Sequence, residues 1–269
     1  MRTATTSLLL GAILCSAVPA RAQSVLAGLD FWETQPGSTQ TLDGPYGIPP
    51  DFFGPGSLPI GNPVIPLKGM PLGSLPSCPG ADLGQTDTAI RRLADATFPG
   101  GETIPIELVQ MRLVSIEPIT VTYSASPPEL WDLSITLPVP STSGSMTLPK
   151  THPNGGVFSA QFQVQPLFTF TRQSDLATRP FDPGPQPLQL APGGAPWAYA
   201  PEPGMLEVPG CTTNFFPGVS PAPTGAQSAL PPFSIHLTGP HTDIDLLWTT
   251  TPPTEARAST WGRLKTIYR

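Results

Sequence analysis

The sequence predicts an all-β protein, an antiparallel β-sandwich with long loops rich in proline and glycine. Apolar and polar residues alternate through Phe158–Arg172, with phenylalanine, alanine and valine at most even positions and glutamine, serine and threonine at most odd ones. A period of two places one face of a strand on a core and the other toward water. Several shorter segments of this kind are separated by Pro, Gly and Ser, which is typical of antiparallel sheets.

The N-terminal segment has the features of a secretion signal. Arg2 supplies a positive charge, Leu8–Val18 is a short apolar segment, and Ala20-Arg21-Ala22 is a small-x-small cleavage site. Residues 1–22 are therefore expected to be a signal peptide, with the mature chain starting near Gln23. No later segment is long and apolar enough to predict a membrane span, so we expect a secreted, periplasmic or cell-surface protein.

The length and charge of the mature chain limit the number of its domains and the kinds of partner it can bind. Removal of 22 of the 269 residues leaves 247, enough for one large all-β domain or two small ones. The mature chain loses Arg2 and Arg21, which leaves 11 basic residues against 19 acidic ones. This negative balance disfavours nucleic acid as a partner.

The composition divides the mature chain into three parts. Residues 23–172 are predicted to form the sandwich domain, whose N-terminal loops carry aromatic residues and many prolines. Residues 173–232 contain 14 prolines and predict an extended connector or loop system, which leaves open whether one sandwich or two are present. Residues 233–269 predict a closing hairpin followed by a basic C-terminal tail.

The strands within the first part can be assigned from their patterning. Residues 86–96 are short and lie among strands, which favours a strand over a helix and makes Arg91-Arg92 a solvated pair. From Ile104 onward the apolar phase shifts by one residue near Val109, which indicates a bulge or bend. Residues 119–123 and 131–137 each alternate. Pro166 indicates either an edge strand or two strands that bend at the proline.

Several segments of this part carry a resemblance to known sequences. They are Pro118–Tyr123, Pro128–Trp131, Gly144–Thr147 and Phe168–Arg172. They resemble segments of uncharacterised secreted bacterial all-β proteins, and the resemblance spans roughly residues 85–172. It implies a secreted all-β module and no catalytic activity.

Two cysteines remain after signal cleavage, Cys78 and Cys211. In an oxidising compartment they are expected to form one disulfide, although two free buried thiols are the alternative. The chain has no CxxC motif, so neither a thioredoxin-type site nor a zinc site is predicted.

Four aromatic residues are candidates for ligand binding. Trp197 and Tyr199 lie in the segment Ala195–Pro201, which is stiffened by proline, and Trp32 and Phe52 lie in the N-terminal loops. Their rings could stack on the sugars of a cell-surface glycan or contact an envelope protein. The alternative is that they anchor the loops on the core of the sandwich.

The closing hairpin carries the one polar cluster that suggests a metal. Phe233–Trp248 alternates on both sides of Gly239-Pro240, and the polar positions include His236, His241, Asp243 and Asp245. A two-residue turn would place His236 opposite Asp243. Imidazole and carboxylate ligands suit a divalent metal, but the polar outer face of a strand is the simpler interpretation.

The sequence gives little support to an enzyme. It has no G-x-S-x-G, no HExxH and no P-loop, and Glu129 and Asp132 are three apart, which places them on opposite faces of a strand. No catalytic residue is predicted, and no cofactor other than the divalent metal considered above. We expect a secreted or cell-surface, non-catalytic binding or structural module, with a carbohydrate-binding protein or a metal-dependent hydrolase as alternatives.

Overall fold

The computed structural model describes residues 23–42, 48–57, 64–100, 102–138, 142–202, 205–219, 233–238 and 242–249, with only the backbone described over 186–193, 233–238 and 242–249. The predicted signal peptide, His241 and the basic C-terminal tail lie outside these residues. The described part contains β-strands and no α-helix, and every strand pairing in it is antiparallel. The predicted all-β, antiparallel class is therefore confirmed.

The described residues form strands along the whole described part of the chain. In chain order they are β1 (Ser24–Val25), β2 (Gly28–Thr34), β3 (Thr39–Leu42), β4 (Val64–Gly69), β5 (Thr88–Arg92), β6 (Ala96–Thr97), β7 (Thr103–Ser115), β8 (Ile119–Val121), β9 (Glu129–Thr136), β10 (Thr142–Thr147), β11 (Lys150–His152), β12 (Gly155–Val164), β13 (Leu167–Arg172), β14 (Thr178–Phe181), β15 (Gln186–Ala198), β16 (Phe216–Pro217), β17 (Phe233–Thr238) and β18 (Thr242–Thr249).

Eight of the strands are hydrogen-bonded to one another in a closed ring, which we call the circuit. Their order is β10, β12, β15, β17, β18, β2, β5 and β7, and a second pairing of β7 with β10 closes it. The first half of β7 lies between β5 and β10, whereas its second half lies between β4 and β9. One long strand therefore joins the circuit to the smaller group formed by β4, β8, β9, β13 and β14, over a shared core.

The bulge predicted in β7 is present. Buried residues occupy positions 104, 106 and 108 and then 111, 113 and 115. Ala89 of β5 pairs with Gln110, and the next residue, Ile90, pairs with Leu108, so that Val109 is left without a partner in this register. This extra residue lets the apolar side chains of β7 face the core on both sides of the bulge, at even positions before it and at odd positions after it.

Pro166 separates two strands, as one of the two predicted alternatives has it. β12 ends at Val164 and pairs with β10 and β15, whereas β13 begins at Leu167 and pairs with β9 and β14. The phenylalanines of both strands remain on the core, where Phe158, Phe168 and Phe170 are almost fully buried.

The prediction of a connector over 173–232 is wrong for much of that segment. It contains β14, β15 and β16, and β15 pairs with β12 along most of its length. The prolines of β15 argued against a strand, because proline cannot donate a backbone hydrogen bond to a neighbouring strand. The structure accommodates Pro192 in an irregular stretch, since Leu190 pairs with Ala160 and Ala195 pairs with Phe158, leaving residues 191–194 opposite Ser159.

Candidate functional site

Trp197, the first aromatic ligand candidate, lies in the core. Its side chain is 0 % exposed, and its ring lies 5.8 Å from that of Phe98 and 5.7 Å from that of Phe215. Its indole N–H donates to the carbonyl of Val157 at 3.0 Å. Tyr199 is half-buried and packs edge-on against Trp197 at 5.0 Å. β15 thus turns Trp197 inward, and the ring of Trp197 is not available to a sugar.

Trp32 and Phe52 also pack on the core, at separate places. Trp32 is 1 % exposed and lies edge-on to Phe158 at 6.3 Å. Phe52 packs edge-on against Phe53 and Phe170, at 4.9 and 5.6 Å. The four candidates therefore do not form one ligand surface, and the burial of Trp32 and Trp197 corrects the idea that their rings are presented to a ligand. The anchoring alternative agrees with these contacts.

The closing hairpin is present, with a register different from the expected one. Cα partners across β17 and β18 are His236 with Asp245 and Thr238 with Asp243, so the connection is two residues longer than a Gly239-Pro240 turn would give. His236 therefore lies opposite Asp245 and not opposite Asp243. β18 also pairs with β2 and β3, which makes the hairpin an interior part of the circuit. Elsewhere in the described chain, no group of three or more His, Cys, Asp or Glu could hold a metal.

Cys78 and Cys211 form a disulfide between residues 133 apart in sequence, as predicted. The two loops that it joins cover the outer face of β2 and β5 and enclose a second small apolar cluster. That cluster is separate from the main core and contains Leu29, Phe31, Leu72, Leu75, Leu83, Ala89 and Val208. The backbone N–H of Leu29 donates to the carbonyl of Cys211 at 2.9 Å. The disulfide thus holds the loop at 205–213 on strand β2.

A buried ion pair joins β2 to β5 beside this loop. The guanidinium of Arg92 donates to both carboxylate oxygens of Asp30 at 3.0 Å, and both side chains are almost fully buried. Arg92 also donates to Thr213 Oγ1 at 2.9 Å and lies 4.8 Å from the centre of the Phe215 ring. Burial raises the pKa of Asp30, and Arg92 opposes that rise. The expectation that Arg91 and Arg92 form a solvated pair is thus wrong for Arg92.

A shallow depression lies above Asp30. It is open to solvent and is lined mostly by apolar residues that include Leu29, Phe215 and Phe216. Its two polar lining side chains are engaged, because Asp30 binds Arg92 and the hydroxyl of Thr212 donates to the carbonyl of Val208 at 3.1 Å. The depression therefore offers an apolar surface and little polar recognition.

Asp87 is a second buried carboxylate, and sequence analysis did not single it out. It lies just before β5 and accepts hydrogen bonds from the backbone and the hydroxyl of Thr34 and from the hydroxyl of Thr88. Burial raises the pKa of Asp87 to about 6, although these hydrogen bonds lower it. Gly69 leaves room for this carboxylate, since a Cβ there would lie 1.7 Å from Asp87 Oδ2.

A half-exposed polar network lies at one end of β9 and β13. Arg172 donates to Glu129 at 2.9 Å and to Asp175 at 2.8 Å, and the hydroxyl of Tyr123 donates to Glu129 at 2.5 Å. The hydrogen bond from Tyr123 and the nearby Arg172 lower the pKa of Glu129. Asp132 lies on the other face of β9 and accepts from Gln173, as the spacing predicted. These two carboxylates cannot act as a catalytic pair across one cleft.

An apolar strip lies on the outer face of the sheet formed by β4 and the end of β7. Val64 is 61 % exposed and Ile116 is 50 % exposed. The N–H of Ile116 donates to the carbonyl of Pro66 at 2.8 Å, and Pro66 is exposed on the same face of β4 as Val64. We call Val64, Pro66 and Ile116 the outer strip. Contiguous apolar side chains that face solvent mark a contact surface when the patch is large.

Comparisons with known proteins add no relative. No protein-family profile matches the chain, and neither a curated protein nor a solved structure matches it. In the part of the chain that the structure describes, no helix has the length and apolar character needed to cross a membrane.

Proposed function

We propose that the chain is a secreted or cell-surface module without catalytic activity, which acts as a binding or structural component outside the cytoplasm. The observation that carries this proposal is the Cys78–Cys211 disulfide, which encloses an apolar cluster of its own. Disulfides of this kind persist in oxidising compartments and are rare in the cytosol. The interior positions of Trp32 and Trp197 favour this role over glycan binding.

The outer strip is the surface that we assign to a partner. Val64 and Ile116 expose apolar side chains from neighbouring strands, with Pro66 between them. Sugars are commonly bound by exposed aromatic faces and polar groups, whereas aliphatic side chains complement the apolar side chains of another protein. The partner class is therefore an envelope or extracellular protein.

Cell fractionation with matched variants tests this function. The full-length chain with its own N-terminus is expressed in a bacterial host, and its amount is measured in cytoplasm, envelope and medium. We expect the chain outside the cytoplasm, with its cysteines resistant to alkylation until they are reduced. We further expect Ile116→Glu to shift protein from the envelope to the medium.

The control for this experiment is Leu93→Glu, because Leu93 is exposed to the same extent, 49 %, at a different place. Leu93→Glu is expected to leave the distribution unchanged, and the thermal midpoints of both variants should match the original chain. A reduced, cytoplasmic protein would contradict the proposal. So would equal envelope retention of the two variants.

A second candidate is a divalent-metal site on the closing hairpin. The observation that favours it is the backbone register, which brings His236 opposite Asp245 and places Asp243 two residues away on the same strand. Metal analysis of the purified chain and of His236→Ala tests it, with His152→Ala as control because His152 lies exposed on β11. Absence of zinc and calcium from the original chain would contradict this candidate.

A further inference from the structure

We propose that Gln23 is a modification site: after signal cleavage its amino group and side chain close to form pyroglutamate, with Lys150 polarising the reacting amide. This inference goes beyond the proposed function but rests on the secretion part of it, because it requires cleavage after Ala22. Its structural basis is the anchoring of the chain directly after Gln23 and the contact of Gln23 with Lys150.

The chain is held in place immediately after Gln23. Ser24 and Val25 pair with Thr97 and Ala96, and the side chain of Val25 is fully buried. The side chain of Asn214 accepts from the N–H of Leu26 at 2.8 Å and donates to the carbonyl of Ser24 at 2.8 Å. A mature chain that starts at Gln23 therefore begins one residue before this anchored strand, with Gln23 exposed at the surface.

Lys150 lies against the side chain of Gln23. It is the first residue of β11, and its ammonium group donates to Gln23 Oε1. The same ammonium lies 5.4 Å from the centre of the Tyr199 ring, a cation–π contact that positions it. The carbonyl oxygen of the glutamine amide thus has a positively charged donor beside it.

This contact suits the chemistry of cyclisation. The unprotonated amino group of Gln23 attacks Cδ, a C–N bond forms, and negative charge develops on Oε1, where the Lys150 ammonium stabilises it. The tetrahedral intermediate then expels Nε2 as ammonia, which takes up the proton released by the attacking amine. The products are a five-membered lactam and one ammonia, and the lactam nitrogen no longer carries a positive charge near Lys150.

Intact-mass spectrometry of the mature chain tests the inference. The chain is released in vitro from a cleavable extension that ends before Gln23, and loss of one ammonia is followed with time. We expect complete loss in the folded chain, and about tenfold slower loss for Lys150→Met, since a surface donor stabilises an oxyanion less than a buried one. Lys68→Met is the matched control, because Lys68 is exposed on β4 and should not change the rate. The same chain in denaturant should react at the slower rate.

The outcomes separate this inference from the proposed secretion. The mature protein is also purified from the host and its first residue determined. If it begins elsewhere than Gln23, the cleavage prediction and this inference both fail. If it begins at Gln23 and keeps the ammonia, the inference alone is overturned. Equal rates for Lys150→Met, Lys68→Met and the denatured chain would overturn the role of Lys150.

Discussion

The carboxylate of Asp87 accepts two hydrogen bonds from Thr34, one from the backbone N–H at 2.6 Å and one from the hydroxyl at 2.9 Å. The hydroxyl of Thr88 adds a third at 2.7 Å. Three neutral donors do not offset the loss of water around a buried carboxylate, and burial raises the pKa of Asp87 to about 6. In the unfolded chain the pKa is expected near its ordinary value of 3.8.

The first prediction is that the ionisation of Asp87 destabilises the fold. The folded pKa is raised, so the folded state keeps its proton while the unfolded state loses it, and stability falls as pH rises from the unfolded pKa through the folded one. The free energy of unfolding should drop by about 2 kcal/mol from about pH 4.5 to about pH 7 through this group alone. Urea unfolding at several pH values measures it.

Asp87→Asn provides the control for this pH dependence. An amide NH₂ at the position of Oδ1 can donate to the hydroxyls of Thr34 and Thr88, which can rotate to accept, while the amide oxygen accepts from the N–H of Thr34. The variant should lack the drop, so its stability relative to the original chain should increase with pH. Parallel pH profiles for the two proteins would contradict the assignment.

The second prediction concerns the disulfide. Replacing both Cys78 and Cys211 by serine opens a loop of 133 residues, which costs up to about 5 kcal/mol in the chain-entropy description. Because the loop at 205–213 is held on β2, the amide of Leu29, which donates to Cys211, should exchange with solvent faster. Hydrogen exchange locates the effect, and the amide of Leu133 in the main core serves as the internal reference. Equal loss of protection at both amides would contradict a local role.

The strands that sequence analysis located are those whose signal is local. Alternation in β9, β12 and β13 is decided by each side chain and its neighbours two positions away, and it identified the buried phenylalanines of β12 and β13. β15 was missed because nothing within that segment shows its pairing with β12, which lies about 30 positions earlier in the chain. The irregular stretch that accommodates Pro192 also depends on this pairing. The predicted register of the hairpin was wrong for the same reason, because the pairing of β18 with β2 and β3 cannot be seen in the hairpin sequence itself.

The buried charges depend even more on distant residues. Arg92 is buried because Asp30, 62 residues earlier, lies on the neighbouring strand. The burial of Arg92 did have a local signal. Adjacent residues of a strand face opposite sides, so Arg91 and Arg92 could not both be solvated. Asp87 carried no such signal, since Thr34, which donates two of its three hydrogen bonds, lies 53 residues earlier, and the space for the carboxylate comes from Gly69 in another segment.

The third prediction is that Arg92 is needed for stability chiefly because Asp30 is buried beside it. Arg92→Met should lower the free energy of unfolding by about 3 to 5 kcal/mol, since it leaves a buried carboxylate without its cation. Asp30→Asn added to Arg92→Met should recover part of this loss. Chemical denaturation of both variants at one pH measures it. If the double variant is no more stable than Arg92→Met, packing of Arg92 on Phe215 is the dominant contribution and the prediction is wrong.

The fourth prediction uses the close approach of Gly69 to Asp87. A Cβ at position 69 would lie 1.7 Å from Asp87 Oδ2, and the carboxylate cannot move away without losing its bond to the N–H of Thr34. Gly69→Ala should therefore cost about 1 to 3 kcal/mol, as overpacking of a buried site does. Asp87→Ala removes the contacts at 1.7 and 2.5 Å and leaves only the one with Asp87 Cβ at 2.8 Å, so adding Gly69→Ala to that variant should cost less. A double-mutant cycle by urea unfolding gives the coupling, and additive effects would show that the two positions do not compete for the same space.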